Sequence, residues 1–240
     1  MKYEVDLHTH TLASSHAYST IIENCKSASQ KGLKAIAMTD HAPMELDSPH
    51  IWHFENLDIL PPKIEGVRVL KGVEANICNA DGELDINEPL LKKLEWVTAS
   101  FHKPVFFPEN GQQLYDIYKK ACQNIYIDMI GHPTAGDIEY DAEKLVKLFK
   151  EYDKLVEFNE ASLAAGRSKK QKLVDIIKAC KKYQVPAAVD SDAHFCDRIG
   201  DIMNVESLLK ELDFPQELIV NSDYERLKER LKNKRPWIRF

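Results

Sequence analysis

Short apolar runs alternate with longer amphipathic ones along the whole chain. Tyr3 to Leu7 predicts a first strand and Ala35-Ile36-Ala37-Met38 a second. Val67 to Leu70, running on into Gly72-Val73, predicts a third. Trp96 to Ala99, Ile127 to Ile130, Leu155 to Phe158 and Pro186 to Val189 bring the number to seven. Helical spacing covers Gln112 to Cys122, Ala142 to Tyr152, Lys172 to Tyr183 and Val205 to Leu212. Thr20-Ile21-Ile22-Glu23 has the form of a capping box, in which hydroxyl and carboxylate each satisfy an orphan helix donor. It opens a helix that ends near Gly32, and Ser222-Asp223-Tyr224-Glu225 opens the last helix in the same way. Alternation of this kind implies parallel strands joined by crossover helices. The connection from Ala42 to Pro62 is long and Pro-rich, as functional loops tend to be. Glu217 to Val220 falls where an eighth strand would lie; seven strands are expected, with that segment set apart.

The residues that close the strands share a chemistry. They are His8, His41, Glu74, His102, His132, Glu160 and Asp192, spaced 28 to 33 residues apart. A strand-plus-helix unit takes about 30 residues, so a metal ligand or acid–base group ends nearly every unit at the same phase. In a barrel those positions share the C-terminal rim, where active sites sit. A lone His is more often structural than a ligand. Chance does not readily supply so many His, Glu and Asp at strand ends, with His10, His16 and His194 beside them.

Composition narrows the function. The 240 residues suit a single domain over 1–240, since one α/β barrel commonly takes about 250 residues. Such a chain buries a core without disulfides or structural metal, so a metal would be functional. The net charge of −6 argues against a general nucleic-acid or membrane-surface binder. No apolar run approaches the ~18 residues of a membrane span, and Met1 to Asp6 has no apolar signal-peptide region. The five cysteines are scattered and lack any C-x-x-C, which makes a reducing cytoplasm the expected setting. Cys25, Cys122 and Cys180 fall in helical patterns as small core residues. The basic stretch from Arg226 to Arg239 is expected to be a solvated helix face.

His8-Thr9-His10 places two imidazoles on one side of a strand end, and Asp192 and His194 repeat the pattern at the last strand. Imidazole with carboxylate suits zinc, manganese or iron. Asp40, beside His41, is placed to orient an imidazole from behind. His50 and His53 in the long loop are expected at the rim.

Several segments, taken in order, resemble the PHP (polymerase and histidinol phosphatase) family: Asp6 to Thr11, Ala17 to Thr20, Thr39-Asp40-His41, Gly72 to Asn76, His102-Lys103-Pro104, Gly131-His132-Pro133 and Ser191 to His194. Leu12 to Thr20 and Pro49 to Phe54 look like its YcdX-type phosphatase branch. The resemblance implies a distorted (β/α)7 TIM-like barrel with three divalent metal ions at its C-terminal mouth. It implies that His8, His10, Glu74 and Asp192 hold one ion, and that Glu74 bridges to a second held by His102 and His132. His16, His41 and His194 would hold the third. Zinc is usual in the family, and manganese and iron occur. Glu74, Asp192 and His194 are the residues expected to take part in the chemistry.

Such a cluster fits phosphoester hydrolysis. A phosphate monoester is a dianion that repels nucleophiles and hydrolyses extremely slowly unaided. Clustered divalent ions neutralise it, orient it for in-line attack, and turn a bound water into a hydroxide nucleophile near neutral pH. They also let an acidic protein bind an anion. Arg167, after the sixth strand, and Arg198, after the seventh, are candidate phosphate forks. The expected activity is metal-dependent hydrolysis of a small phosphomonoester. Histidinol-phosphate phosphatase is an alternative, as is a PHP-type nuclease or nucleotide phosphatase, though no added nucleic-acid domain is present. A metal-storing protein without turnover is disfavoured, because storage needs no open ligand position. Substrate identity, metal identity and oligomeric state stay open at this stage.

Overall fold

The computed structural model describes residues 3–238. Among them eight strands form one sheet: β1 Val5–Thr9, β2 Ala35–Met38, β3 Lys63–Ile64, β4 Val67–Asn76, β5 Trp96–Ser100, β6 Met129–Ile130, β7 Leu155–Asn159 and β8 Ala187–Asp190. Seven run parallel in the order β1-β2-β4-β5-β6-β7-β8, while β3 adds a short antiparallel hairpin to β4. These seven are the strands the sequence predicts, and they curl into a nearly closed TIM-like barrel. The helices are α1 Ile21–Gln30, α2 Trp52–Glu55, α3 Glu88–Leu91, α4 Gly111–Ala121, α5 Ala142–Glu151, α6 Glu160–Ala164, α7 Lys170–Tyr183, α8 Met203–Glu211 and α9 Tyr224–Lys234.

The capping box on α1 forms as expected: the Thr20 hydroxyl accepts the Glu23 N–H and the Glu23 carboxylate accepts that of Thr20. On α9 the cap is Asp223 instead of Ser222. The Asp223 carboxylate accepts from the N–H groups of Glu225 and Arg226, whereas the Ser222 hydroxyl is already donating to the Ile219 carbonyl. The long loop is tied down by α2 and a 3₁₀ turn at Leu57–Ile59, which bury Phe54 and Leu57.

Strand residues alternate between two apolar layers. Val5, Leu7, Trp96, Met129 and Leu155 pack in an inner cluster with Leu227 of α9 beneath them. The larger layer lies between sheet and helices and holds the predicted core cysteines Cys25, Cys122 and Cys180. Period-two alternation carries Leu70 to Glu74 and Leu155 to Glu157 on one inner face. On β1 the register slips between Asp6 and Thr9. Such an irregularity adds a residue to the strand, which lets Leu7 face the interior and its neighbour His8 face the mouth.

Between β1 and β8, side chains replace a backbone ladder. Thr9 and Ala193 form an isolated bridge at the mouth. Below it, Asp190 Oδ1 accepts the Leu7 N–H at 2.7 Å and Asp6 Oδ1 accepts the Ser191 N–H at 3.1 Å. The Asn221 amide donates to the carbonyls of Val5 and Val189 and accepts the Val189 N–H. Glu217 to Val220 is therefore not an eighth strand. Two 3₁₀ turns span Gln216–Leu218 and Val220–Ser222, and only Ile219 bridges to Ala187. The Asn221 side chain takes the backbone groups such a strand would need.

The basic C-terminal stretch keeps a solvated face at Arg226, Glu229 and Lys232, but its end turns under the barrel as a floor. Arg235 is fully buried and donates to Asp128 at 2.6 Å and to the carbonyl of Tyr126. Lys234 pairs with the other Asp128 oxygen at 3.3 Å. Arg239 lies outside the described residues. Burial alone would raise the Asp128 carboxyl, but Arg235 and Lys234 bring it below its usual value. Asp128→Ala strands the buried Arg235 and the partly buried Lys234 and is expected to cost about 3–5 kcal/mol of stability. Because the folded-state value is depressed, that contribution is present above about pH 4 and fades as Asp128 is protonated at lower pH. Urea unfolding of both proteins at neutral and acid pH measures it: the gap should narrow in acid.

Candidate metal centre

Every proposed ligand except His16 follows directly from the barrel frame. His8 and His10 leave the end of β1, His41 follows β2, Glu74 lies inside β4, His102 and His132 follow β5 and β6, and Asp192 and His194 follow β8. An isolated parallel bridge joins His41 to Glu74. Before His132, a Cβ on Gly131 would collide with Ser100 Oγ and Thr98, so glycine alone lets β6 draw this close to β5. The next residues are held in unusual backbone: His132 at φ 26° and Asp192 at φ 52°. Left-handed backbone of this kind is costly outside glycine and collects at functional sites.

The side chains converge. Glu74, almost wholly buried, lies at the centre. Its Oε2 is 3.3 Å from His8 Nε2, 3.6 Å from His10 Nε2 and 3.0 Å from His41 Nδ1. Its Oε1 is 3.3 Å from His102 Nε2 and 2.8 Å from His132 Nε2. Asp192 Oδ1 is 3.2 Å from His10 Nε2 and 3.8 Å from His8 Nε2. The His10 and His194 rings stack with centroids 4.1 Å apart, and His16 stacks on His194 at 4.3 Å. All nine residues named from the sequence thus come to one mouth.

The grouping adds a residue. Ligand atoms of His8, His10 and Glu74 lie within 4.8 Å of one another, as do those of His41, Glu74 and His102, and of His10, His41 and His194. A further group joins His16 and His41 to Asp47. Asp47 sits in the loop after β2 and bonds His16 Nδ1 directly.

The residues fit a cation centre on an observation internal to the chain. His8 Nε2, His10 Nε2, His41 Nδ1, Glu74 Oε2 and His194 Nε2 are buried with no hydrogen-bond partner. Unsatisfied buried polar atoms are rare in folded proteins, and here five face one space. The opposite ring nitrogens are occupied. His8 Nδ1 lies 2.7 Å from Glu157, His102 Nδ1 2.7 Å from Asn76 Oδ1, and His194 Nδ1 3.0 Å from the Asp192 carbonyl. Each such partner accepts an N–H and turns the free nitrogen inward, the usual support of a metal-bound imidazole. Asp40 acts as expected, but through Ser14. It accepts the Ser14 hydroxyl at 2.9 Å, and Ser14 Oγ is 3.3 Å from His10 Nδ1.

Charge agrees. Burial, and then the charges of His41 and His194, push His10 down to about 3, so its ring stays neutral. Burial would raise Glu74 and Asp192, but the surrounding imidazoles hold both well below the usual carboxylate range. Burial would lower His8, yet Glu157, Glu74 and Asp192 lift it well above its usual value. The ionised carboxylates and the neutral His10 are what a cation requires, whereas His8 and His41, both raised against burial by the surrounding carboxylates, would give up a proton on binding one.

Glu157 was not legible as a site residue. It is fully buried on β7, and besides His8 it accepts the His132 N–H at 2.5 Å. The available signal was a carboxylate inside an otherwise apolar run. Glu160, at the expected phase, turns away instead: its carboxylate accepts the N–H groups of Asn204 and Val205 and caps α8. The sheet runs straight into α6 at that point, so no loop turns Glu160 inward. Nor do His50 and His53 reach the mouth. His53 Nε2 is 3.4 Å from Asp40 Oδ2 on the flank, and His50 Nδ1 accepts the Trp52 N–H.

A cleft of about 420 Å³ opens over the centre, lined by His41, Glu74, His102, His132, His194 and Arg167. Arg167 Nη2 lies 3.2 Å from Asp192 Oδ2. Arg198 is set back from this cleft and pairs with Asp201 at 2.8 Å.

Known proteins match on both sequence and fold. A probable phosphatase of Caldanaerobacter subterraneus is 42% identical over 237 residues, covering 98% of this chain and 93% of that one. The crystal structure of histidinol phosphate phosphatase from Lactococcus lactis, complexed with zinc, L-histidinol and phosphate, superposes with a TM-score of 0.60 at 14% identity, covering 89% of this chain and 95% of that one. A chain of an archaeal ribonuclease P, solved by cryo-EM with mature tRNA, superposes with a TM-score of 0.59 at 13% identity, covering 98% and 93%. Likenesses this distant establish the barrel and leave the chemistry to the residues. The PHP domain pattern matches residues 6–161, which hold seven of the nine converging residues, and with the close relative it places this chain in the PHP domain family.

Proposed function

We propose that the chain is a metal-dependent phosphatase that hydrolyses a small phosphomonoester at a centre of three divalent ions, zinc first among the candidates. The five orphaned ligand atoms gathered at one centre carry this reading. His8, His10, Glu74 and Asp192 would hold one ion, Glu74 with His102 and His132 a second, and His41 and His194 with His16 a third, assisted by Asp47. When bound, the ions neutralise the phosphate and make water a nucleophile at neutral pH. In the reaction, water oxygen bonds to phosphorus, the bond from phosphorus to the ester oxygen breaks, and a proton returns to that oxygen. Glu74 and Asp192 supply the buried negative charge that keeps the centre assembled. Asp192 and His194 stand beside Arg167, where the phosphate enters.

The test is elemental analysis with a screen of phosphate esters. Protein purified without chelator should carry about three equivalents of zinc, manganese and iron combined. It should hydrolyse small phosphomonoesters faster than single-stranded oligonucleotides, because a net charge of −6 opposes the many Lys/Arg–phosphate contacts on which nucleic-acid binding rests. One equivalent or less after reconstitution would overturn the three-ion centre. Efficient shortening of an oligonucleotide would reverse the substrate ranking.

A further inference from the structure

A second chamber, also about 420 Å³, adjoins the metal-lined cleft. The two share His16, Arg167, Asp192 and His194, so Arg167 stands at the threshold between them. A phosphoryl group seated over the centre has this chamber as a neighbouring space for the rest of its molecule. Much of the chamber wall is apolar, with Tyr18, Ala161, Ala164, Ala165, Phe195 and Met203 contributing, and polar residues complete it. Tyr18, Phe195 and Met203 are exposed together on this one wall, a contiguous apolar patch of the kind that marks a ligand-binding groove.

Several polar groups of the wall are already engaged. Glu160 is bound by the N-terminal turn of α8. Arg198 is paired with Asp201, and the Ser191 hydroxyl donates to Asp6. What remains for a ligand is flat or flexible apolar surface beside an anion-binding centre. We infer that this chamber receives the alcohol portion of the substrate and selects a ring-bearing, uncharged group over a short alkyl, polyol or second anionic group. Resting on the phosphatase reading, the inference names the substrate class of that same site.

Phosphonates, which bind without being cleaved, separate the two claims. Calorimetry on the metal-loaded protein would compare 2-phenylethylphosphonate, ethylphosphonate and 3-phosphonopropanoate. The phenyl compound should bind about tenfold or more tightly than the ethyl one, from the apolar area it buries. Met203→Ala combined with Tyr18→Ala should reduce that ratio about three- to tenfold. Metal content is followed in parallel, since the Tyr18 N–H bonds the His194 carbonyl at 2.8 Å. A wild-type ratio near one overturns the inference. So does a ratio the double variant leaves untouched with metal retained, or tightest binding by the carboxylate compound. Turnover of 2-phenylethyl phosphate is measured alongside. Ring selectivity in binding with no turnover upholds the chamber and overturns the phosphatase reading.

Discussion

Replacing Glu74 with Gln is expected to lower kcat by about a thousandfold or more and to release at least one metal equivalent, while the barrel stays folded. Glu74 meets His8, His10 and His41 on one oxygen and His102 and His132 on the other. Among the described residues no other side chain comes so close to so many of the imidazoles. The carboxamide keeps its shape, so strand packing around β4 is preserved. What disappears is a buried negative charge between cations, whose mutual repulsion at a few ångströms is large in a site of low dielectric. Even a residue behind the ligands typically costs 10–100-fold in metal affinity or activity when removed; a shared ligand costs more. Steady-state kinetics, elemental analysis and far-UV circular dichroism on one preparation decide it. Near-normal turnover with full metal content would show that Glu74 does not join the ions.

Arg167→Ala is the second large effect. Loss of a charge-assisted contact worth ~1.5–3 kcal/mol or somewhat more should lower kcat/KM by roughly ten- to a thousandfold. Arg167 follows α6, and its carbonyl accepts the Gly136 N–H at 2.9 Å, which anchors the loop on which it sits. Its guanidinium reaches Asp192 and remains half exposed, free to offer a planar fork to a phosphate oxygen facing away from the metals. Arg198 lines only the second chamber and is engaged by Asp201, so Arg198→Ala should be mild. Metal content should be unchanged in both. A crippled Arg198→Ala beside a normal Arg167→Ala would move the phosphate fork to the loop after β8. Two normal variants would leave the phosphate to the metals alone.

The seven parallel strands were readable because each is a short apolar run closed by a polar residue at a constant phase. That phase also located the mouth, since strand ends of a parallel barrel have nowhere else to go. The limits have physical causes. Glu157 lies inside a run that patterning assigns wholly to core, and only the inner face of β7 gives it a partner. Glu160 has the right phase and the wrong direction, because helix follows strand without a turn. Asp47 reaches His16 through a loop whose path no periodicity encodes. The burial of Arg235 depends on Asp128, a partner 107 positions away along the chain. Four-residue helices such as α2 and α3 carry too few positions for a helical period to show.

The side-chain seam between β1 and β8 has a consequence for how the chain acquires its structure. Leu7 and Asp190 are 183 positions apart, and Val5 and Asn221 are 216 apart. Contacts of such span are slow to form, because loop closure must precede any gain from them. Closing the barrel is therefore a late event in folding. His8 and His10 lie on one side of that junction and Asp192 and His194 on the other, so the ligand set is completed only as the two ends of the sheet meet. Ions bound as proposed would join both sides, and by mass action their binding energy would become part of the energy of closure. A nascent chain that has not yet reached β8 would have His8 and His10 but no Asp192 or His194 to set beside them, so the proposed ligand set cannot be complete before that strand is made.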